Sequence, residues 1–131
     1  MNRIEEISWR GLLHEELTGR ILEASFEVIR ELGAGFLEGV YQNALLIALR
    51  QKGIEAKARV PLTVRFRGEV VGEYFADLFV DGKVIVELKA VKALAPEHQA
   101  QLINYLKATG IEVGLLINFG RPKLEYRRLH S

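Results

Sequence analysis

Cysteine is absent from all 131 residues. Disulfide staples, thiolate nucleophiles and cysteine-held metals are therefore excluded, and a reducing compartment suits the chain. Proline is scarce, with three, and no apolar run approaches the ~20 residues that span a bilayer. The opening residues, Met1 to Arg10, lack the continuous apolar stretch of a secretory leader. The expectation is a cytoplasmic protein without a membrane partner. Neither sign of charge dominates: 18 Lys and Arg stand against 17 Asp and Glu, net +1. Bulk charge therefore does not mark a nucleic-acid binder. Its distribution is uneven, net −3 over residues 1–55 and net +4 over 56–131, which is compatible with a phosphate-bearing partner or with an ordinary mixed surface.

What is present is ordinary globular material, 49% hydrophobic and 27% charged. This is enough for one domain over residues 1–131 with its own core, residues 1–14 being loosely patterned. Leu17, Ile21, Ala24, Val28 and Leu32 recur at helical spacing, and Gly33 is placed to cap that helix. A second helix is predicted from about Leu37 to Lys52, with Leu37, Tyr41, Ala44 and Ala48 on one buried face and Gly53 at its end. The period then changes to two. Leu62, Val64 and Phe66 alternate with polar residues up to a turn at Gly68, Gly72 to Val80 forms a second strand, and Val84 to Val91 a central third. Pro96 opens a helix reaching about Thr109, with Gly110 as its cap. Glu112 to Asn118 is a further apolar strand, and Lys123 to Leu129 a candidate edge strand.

Charged residues inside apolar strands need a reason, because burying an unpartnered carboxylate is costly. Asp77 lies in Phe-Ala-Asp-Leu-Phe, and Glu87 and Lys89 in Val-Glu-Leu-Lys-Ala, two apart and so on one face. Whether Asp77 joins them depends on the hairpin loop. A two-residue Asp81-Gly82 turn pairs Asp77 with Val86 and turns it away from Glu87. A three-residue loop Val80-Asp81-Gly82, with Gly82 left-handed, pairs Phe79 with Lys83 and Asp77 with Ile85, bringing the three together. In the second case Asp77, Glu87 and the Leu88 carbonyl can hold Mg²⁺ or Mn²⁺. Lys89 would then orient or deprotonate water, or stabilise charge on a phosphate. The same residues also fit a structural Asp–Lys–Glu ion-pair cluster. Taken singly, Glu38 in a helix's first turn, and Gln101 and Tyr105 four apart on a later helix, are helix-dipole and boundary residues.

As an ordered set these motifs resemble the GxxExxY protein family, a branch of the PD-(D/E)XK nuclease superfamily. The residues concerned are Gly35-x-x-Glu38-x-x-Tyr41, Ala76-Asp77-Leu78, Val86-Glu87-Leu88-Lys89-Ala90, His98-x-x-Gln101-x-x-Asn104-Tyr105 and Gly114-x-x-x-Asn118-Phe-Gly120. The resemblance implies an α/β, restriction-endonuclease-like core, a mixed sheet flanked by helices. It also implies Asp77 and Glu87 as metal ligands, Lys89 as the catalytic lysine and Glu38 as an acid linked to the metal through water. Gln101 and Tyr105 would support the site or a DNA end. Ile29 and Ala34 stand where many members have His and Pro. The implied function is Mg²⁺-dependent hydrolysis of phosphodiesters in DNA, with RNA second, by a possible homodimer or larger assembly. The alternative is a non-catalytic module that keeps the fold to bind nucleic acid or protein. His14, His98 and His130 show no ligand spacing and are expected at caps or the surface.

Overall fold

The computed structural model describes residues 9–131, so the part of the loosely patterned N-terminal segment before Trp9 lies outside the described residues. Two helices lead, α1 (Glu15–Leu32) and α2 (Glu38–Gln51), followed by β1 (Ala56–Phe66), β2 (Glu69–Val80) and β3 (Val84–Lys89). Helix α3 (Pro96–Thr109) then leads to β4 (Val113–Asn118) and β5 (Glu125–His130). The strands form a five-stranded mixed sheet in the order β1-β2-β3-β4-β5, parallel between β3 and β4 and antiparallel elsewhere.

Strand β3 is central, and its alternation decides which helices lie where. Val84, Val86 and Leu88 point into a core made with α1 and α2, including Ile21, Leu22, Tyr41 and Leu45. Ile85 points the other way, toward Leu102, Tyr105 and Leu106 of α3. Each such fully buried aliphatic side chain contributes roughly 1.5–3 kcal/mol, so β3 is held firmly from both sides. Gly114 lets α3 approach the sheet, since a Cβ there would fall 2.9–3.0 Å from Leu102.

The turn between α1 and α2 is closed by a tyrosine. The Tyr41 hydroxyl donates to Gly33 O at 2.6 Å and accepts from Phe36 N–H at 3.1 Å. Its ring stacks on Phe119, with centroids 4.9 Å apart and planes at 12°. Leu37, expected on the buried face of α2, is instead 83% exposed. It is the extended N-cap residue rather than part of the helix, so the helical period does not apply to it. Gly33 caps α1 as expected, its N–H donating to Ile29 O at 2.8 Å.

The strands β1 and β2 end where expected but start earlier, at Ala56 and Glu69, and form a long antiparallel arm. Its apolar residues Phe66, Val70, Val71 and Phe75 are exposed. Strand β1 is an outer strand of the sheet and contains Pro61 among Lys57, Arg59 and Arg65. No helix among the described residues is long and apolar enough to cross a membrane.

Candidate active site

The hairpin that delivers Asp77 differs in register from the sequence expectation. Asp81 and Gly82 both take positive φ, 53° and 63°, and Lys83 N–H donates to Val80 O at 3.0 Å, as in a type I′ turn. Lys83 is then left over, and pairing resumes at Val80↔Val84 and Phe79↔Ile85, not at Phe79↔Lys83. The loop has three residues, as the shared face requires, but it is Asp81-Gly82-Lys83. Continuing the register sets Asp77 across from Glu87 rather than Ile85. The slip is by an even number of places, so the face is kept.

At this point the β2–β3 ladder stops. Pairing ends at Leu78↔Val86, and side chains replace backbone carbonyls as acceptors. Asp77 N–H donates to Glu87 Oε1 at 3.0 Å, and Leu88 N–H donates to Asp77 Oδ2 at 2.8 Å. Each carboxylate is thus held by an amide of the opposite strand. The β1 side is broken at the same level: pairing passes from Ala58↔Leu78 to Val60↔Ala76, skipping Arg59, which sits at φ 53°. Ala76 is buried with the α3 layer, whereas Leu78, two residues on, is buried with the α1–α2 layer. Residues i and i+2 of a regular strand share a face; here the strand rolls over at Asp77. Such breaks re-aim side chains beside functional sites.

The electrostatics are those of a site short of positive charge. Glu87 is 5% exposed, and burial first, then the Asp77 charge, push its carboxyl up to about 8. Lys89 acts against this, but makes no ion pair with either acid among the described residues. Glu38, on the first residue of α2 and half-buried, also has a raised pKa, through burial and then Asp77, with Lys89 opposing. It therefore feels both residues but hydrogen-bonds to neither. Among the described residues no three Asp, Glu or His side chains gather closely enough to hold one ion. Asp77 and Glu87 are a pair, with Glu38 at a distance.

Tyr105 is buried, and after burial the charges of Glu87 and Asp77 raise its phenol pKa. Gln101 is exposed on α3 and makes no hydrogen bond to the acids. The Leu88 side chain is buried while its amide serves Asp77. His98 has a capping role, its Nδ1 accepting from Ala95 N–H at 2.9 Å. Trp9 docks edge-on against Tyr126.

Sequence reasoning named Asn118 only within a motif, without a role, and passed over Glu125. Asn118 is fully buried. Its Oδ1 accepts from Val91 and Gly120 N–H, and its Nδ2 donates to Val91 O and Glu125 Oε1. Glu125 Oε1 also accepts from Leu94 N–H at 3.0 Å. Together they anchor the segment that follows Lys89. The available signal was a lone amide closing the apolar run Val113–Asn118.

The stretch from residue 15 to residue 129 matches the family model of the PD-(D/E)XK nuclease superfamily, and the chain belongs to that superfamily. No curated protein matches it. Among solved structures, the crystal structure of SSO0001 aligns with a TM-score of 0.58 at 17% identity, covering 90% of this chain and 60% of that one. The likeness is one of fold, the mixed sheet with flanking helices of restriction-endonuclease-like proteins. This chain spans about 60% of that protein's length.

Proposed function

We propose that this protein is a divalent-metal-dependent nuclease of the GxxExxY branch, a single domain that hydrolyses phosphodiester bonds in DNA. The observation that carries the reading is the crossed pair Asp77 and Glu87, each fixed by an amide of the opposing strand, with Lys89 two residues beyond Glu87. Each carboxylate has one oxygen engaged in this way, and the two carboxyl groups lie within hydrogen-bonding reach of each other, an approach that a proton or a cation between them relieves. Such a donor set, rich in anionic oxygen and poor in balancing cations, fits Mg²⁺ or Mn²⁺. Asp77, Glu87 and the Leu88 carbonyl would hold the ion, which supplies Lewis-acid stabilisation of a phosphate and activation of water.

The chain's own groups have separate tasks in this reading. Asp77 and Glu87 bind, and their amide partners keep them from rotating away. Lys89 places a positive charge where negative charge develops on the phosphoryl oxygens, or takes a proton from the attacking water. Glu38, itself raised toward neutrality, holds water at the far side of the cluster. Tyr105 closes the site on the α3 side, and Gln101 meets the substrate outside it.

Purified protein should cleave DNA with Mg²⁺ or Mn²⁺ and stop when EDTA is added. Asp77→Ala and Glu87→Ala should abolish both cleavage and metal binding. Lys89→Ala should retain metal binding while turnover falls roughly a hundredfold or more, as for loss of one transition-state donor. A second reading, a binding module, is favoured by the lack of any three-ligand cluster among the described residues. It requires that no divalent metal elicit cleavage and that substrate binding survive EDTA. Equal activity in wild type and Lys89→Ala would remove the proposed mechanism.

A further inference from the structure

A groove of about 690 Å³ runs between the β1–β2 arm and α3, within the size range of small-molecule sites. Of its lining, the chemistry above uses only Gln101 and Tyr105. Tyr105 lines it and also senses the charges of Glu87 and Asp77, so the groove lies beside the carboxylate pair. On the arm side stands Tyr74, 46% exposed, its ring 5.5 Å from that of Tyr105 and tilted by 44°. Gly72 makes room for this ring, because a Cβ there would lie 3.2 Å from Tyr74 Cε2. On the α3 side Gln101 and Asn104 are exposed, and each amide can both donate and accept. Glu97 and Lys107 in the lining cancel in charge. Among the described residues no arginine lines it to clamp a phosphate. A flat, uncharged ring with donors and acceptors on its edge is the chemistry that matches.

Resting on the nuclease reading, we propose that this groove takes an unpaired nucleobase of the substrate strand, with Tyr74 stacking on its face and Gln101 and Asn104 contacting its edge. A duplex keeps its bases stacked and paired, whereas a single strand or frayed end has a base to offer. The substrate class is therefore single-stranded DNA or an unpaired end.

Binding can be read without cleavage, which separates this inference from the nuclease reading. The full chain, in EDTA and low salt, is titrated into a fluorescein-labelled single-stranded oligothymidine and into a labelled duplex of equal length. Wild type should prefer the single strand by about tenfold or more. Tyr74→Ala should lose roughly tenfold of the single-strand affinity and leave duplex affinity unchanged, while Tyr74→Phe should bind like wild type. Circular dichroism checks that Tyr74→Ala is folded. Tyr74→Trp gives an independent readout, its added indole fluorescence quenching on the single strand and not on the duplex. Equal affinity for the two DNAs, unaltered binding by Tyr74→Ala, or an unquenched Tyr74→Trp overturns the groove assignment. Cleavage with no single-strand preference would remove this inference and leave the nuclease reading. Single-strand preference with no cleavage in any metal would do the reverse.

Discussion

Glu87 carries the sharpest conflict of any single residue. Its ordinary carboxyl pKa of 4.5 is pushed up to about 8 by burial and then by Asp77. Between those values the folded chain holds a proton that the unfolded chain has lost. Stability in the absence of metal should therefore be greatest at the acid end of this window and fall as pH rises through it. Glu87→Gln retains an oxygen to accept from Asp77 N–H but cannot ionise. In EDTA the variant should melt above wild type near pH 9, and the gap should close near pH 5. Melting curves at the two pH values check this; a wild-type melting temperature that does not fall between them would show that Glu87 is not strained. That Glu87 and Lys89 share a face was legible from their spacing, and that Asp77 needs a partner from its apolar surroundings; whether Asp77 would meet Glu87 hung on a hairpin loop that the sequence left open. The roll of β2 at Asp77 was not legible, because it depends on the left-handed Arg59 in another strand, and nothing local to either residue announces it.

At the level of elements, periodicity, apolar runs and Pro96 marked seven of the eight among the described residues, with the last strand offered as a candidate, and the glycines at 33, 68 and 110 marked ends correctly. The hairpin register was less legible. Asp81-Gly82 is compatible with several turns, and the choice is made by the burial of Val84, Val86 and Leu88 under two helices that lie far off in sequence. Leu37 failed for a related reason: period assigns faces only inside a helix, and capping placed this residue outside. The loop after Lys89 is anchored by Asn118 and by close packing at Gly120, where a Cβ would collide with the backbone of Ala90 and Val91. Gly120→Ala should accordingly be costly, by about 2 kcal/mol or more through displaced backbone. Gly82→Ala has open space around it and only a positive φ of 63° to tolerate, costing roughly 1 kcal/mol. Denaturant titration of the two variants should rank them in that order, and the reverse ranking would contradict the anchoring role.

For the whole molecule, a cation that binds the folded chain alone must stabilise it. At a hundredfold excess over its dissociation constant the gain is about 2.7 kcal/mol, worth several degrees in melting temperature for a chain of this size. Mg²⁺ or Mn²⁺ should produce that shift in wild type, and Asp77→Ala should abolish it; sodium chloride at matched ionic strength should not reproduce it. A shift that persists in Asp77→Ala would locate the ion elsewhere. Strand β1 has a different consequence at this scale. A long outer strand, on an arm with bare apolar side chains, is a ready template for stacking one chain on the next into fibrils. Pro61 removes an amide donor from that template, and Lys57, Arg59 and Arg65 make a second copy of the strand repel the first. Pro61→Val combined with Arg65→Thr should therefore lower solubility and raise thioflavin-positive aggregation on warming, with cleavage by the remaining soluble protein intact. Those residues make the arm unfit for its own kind.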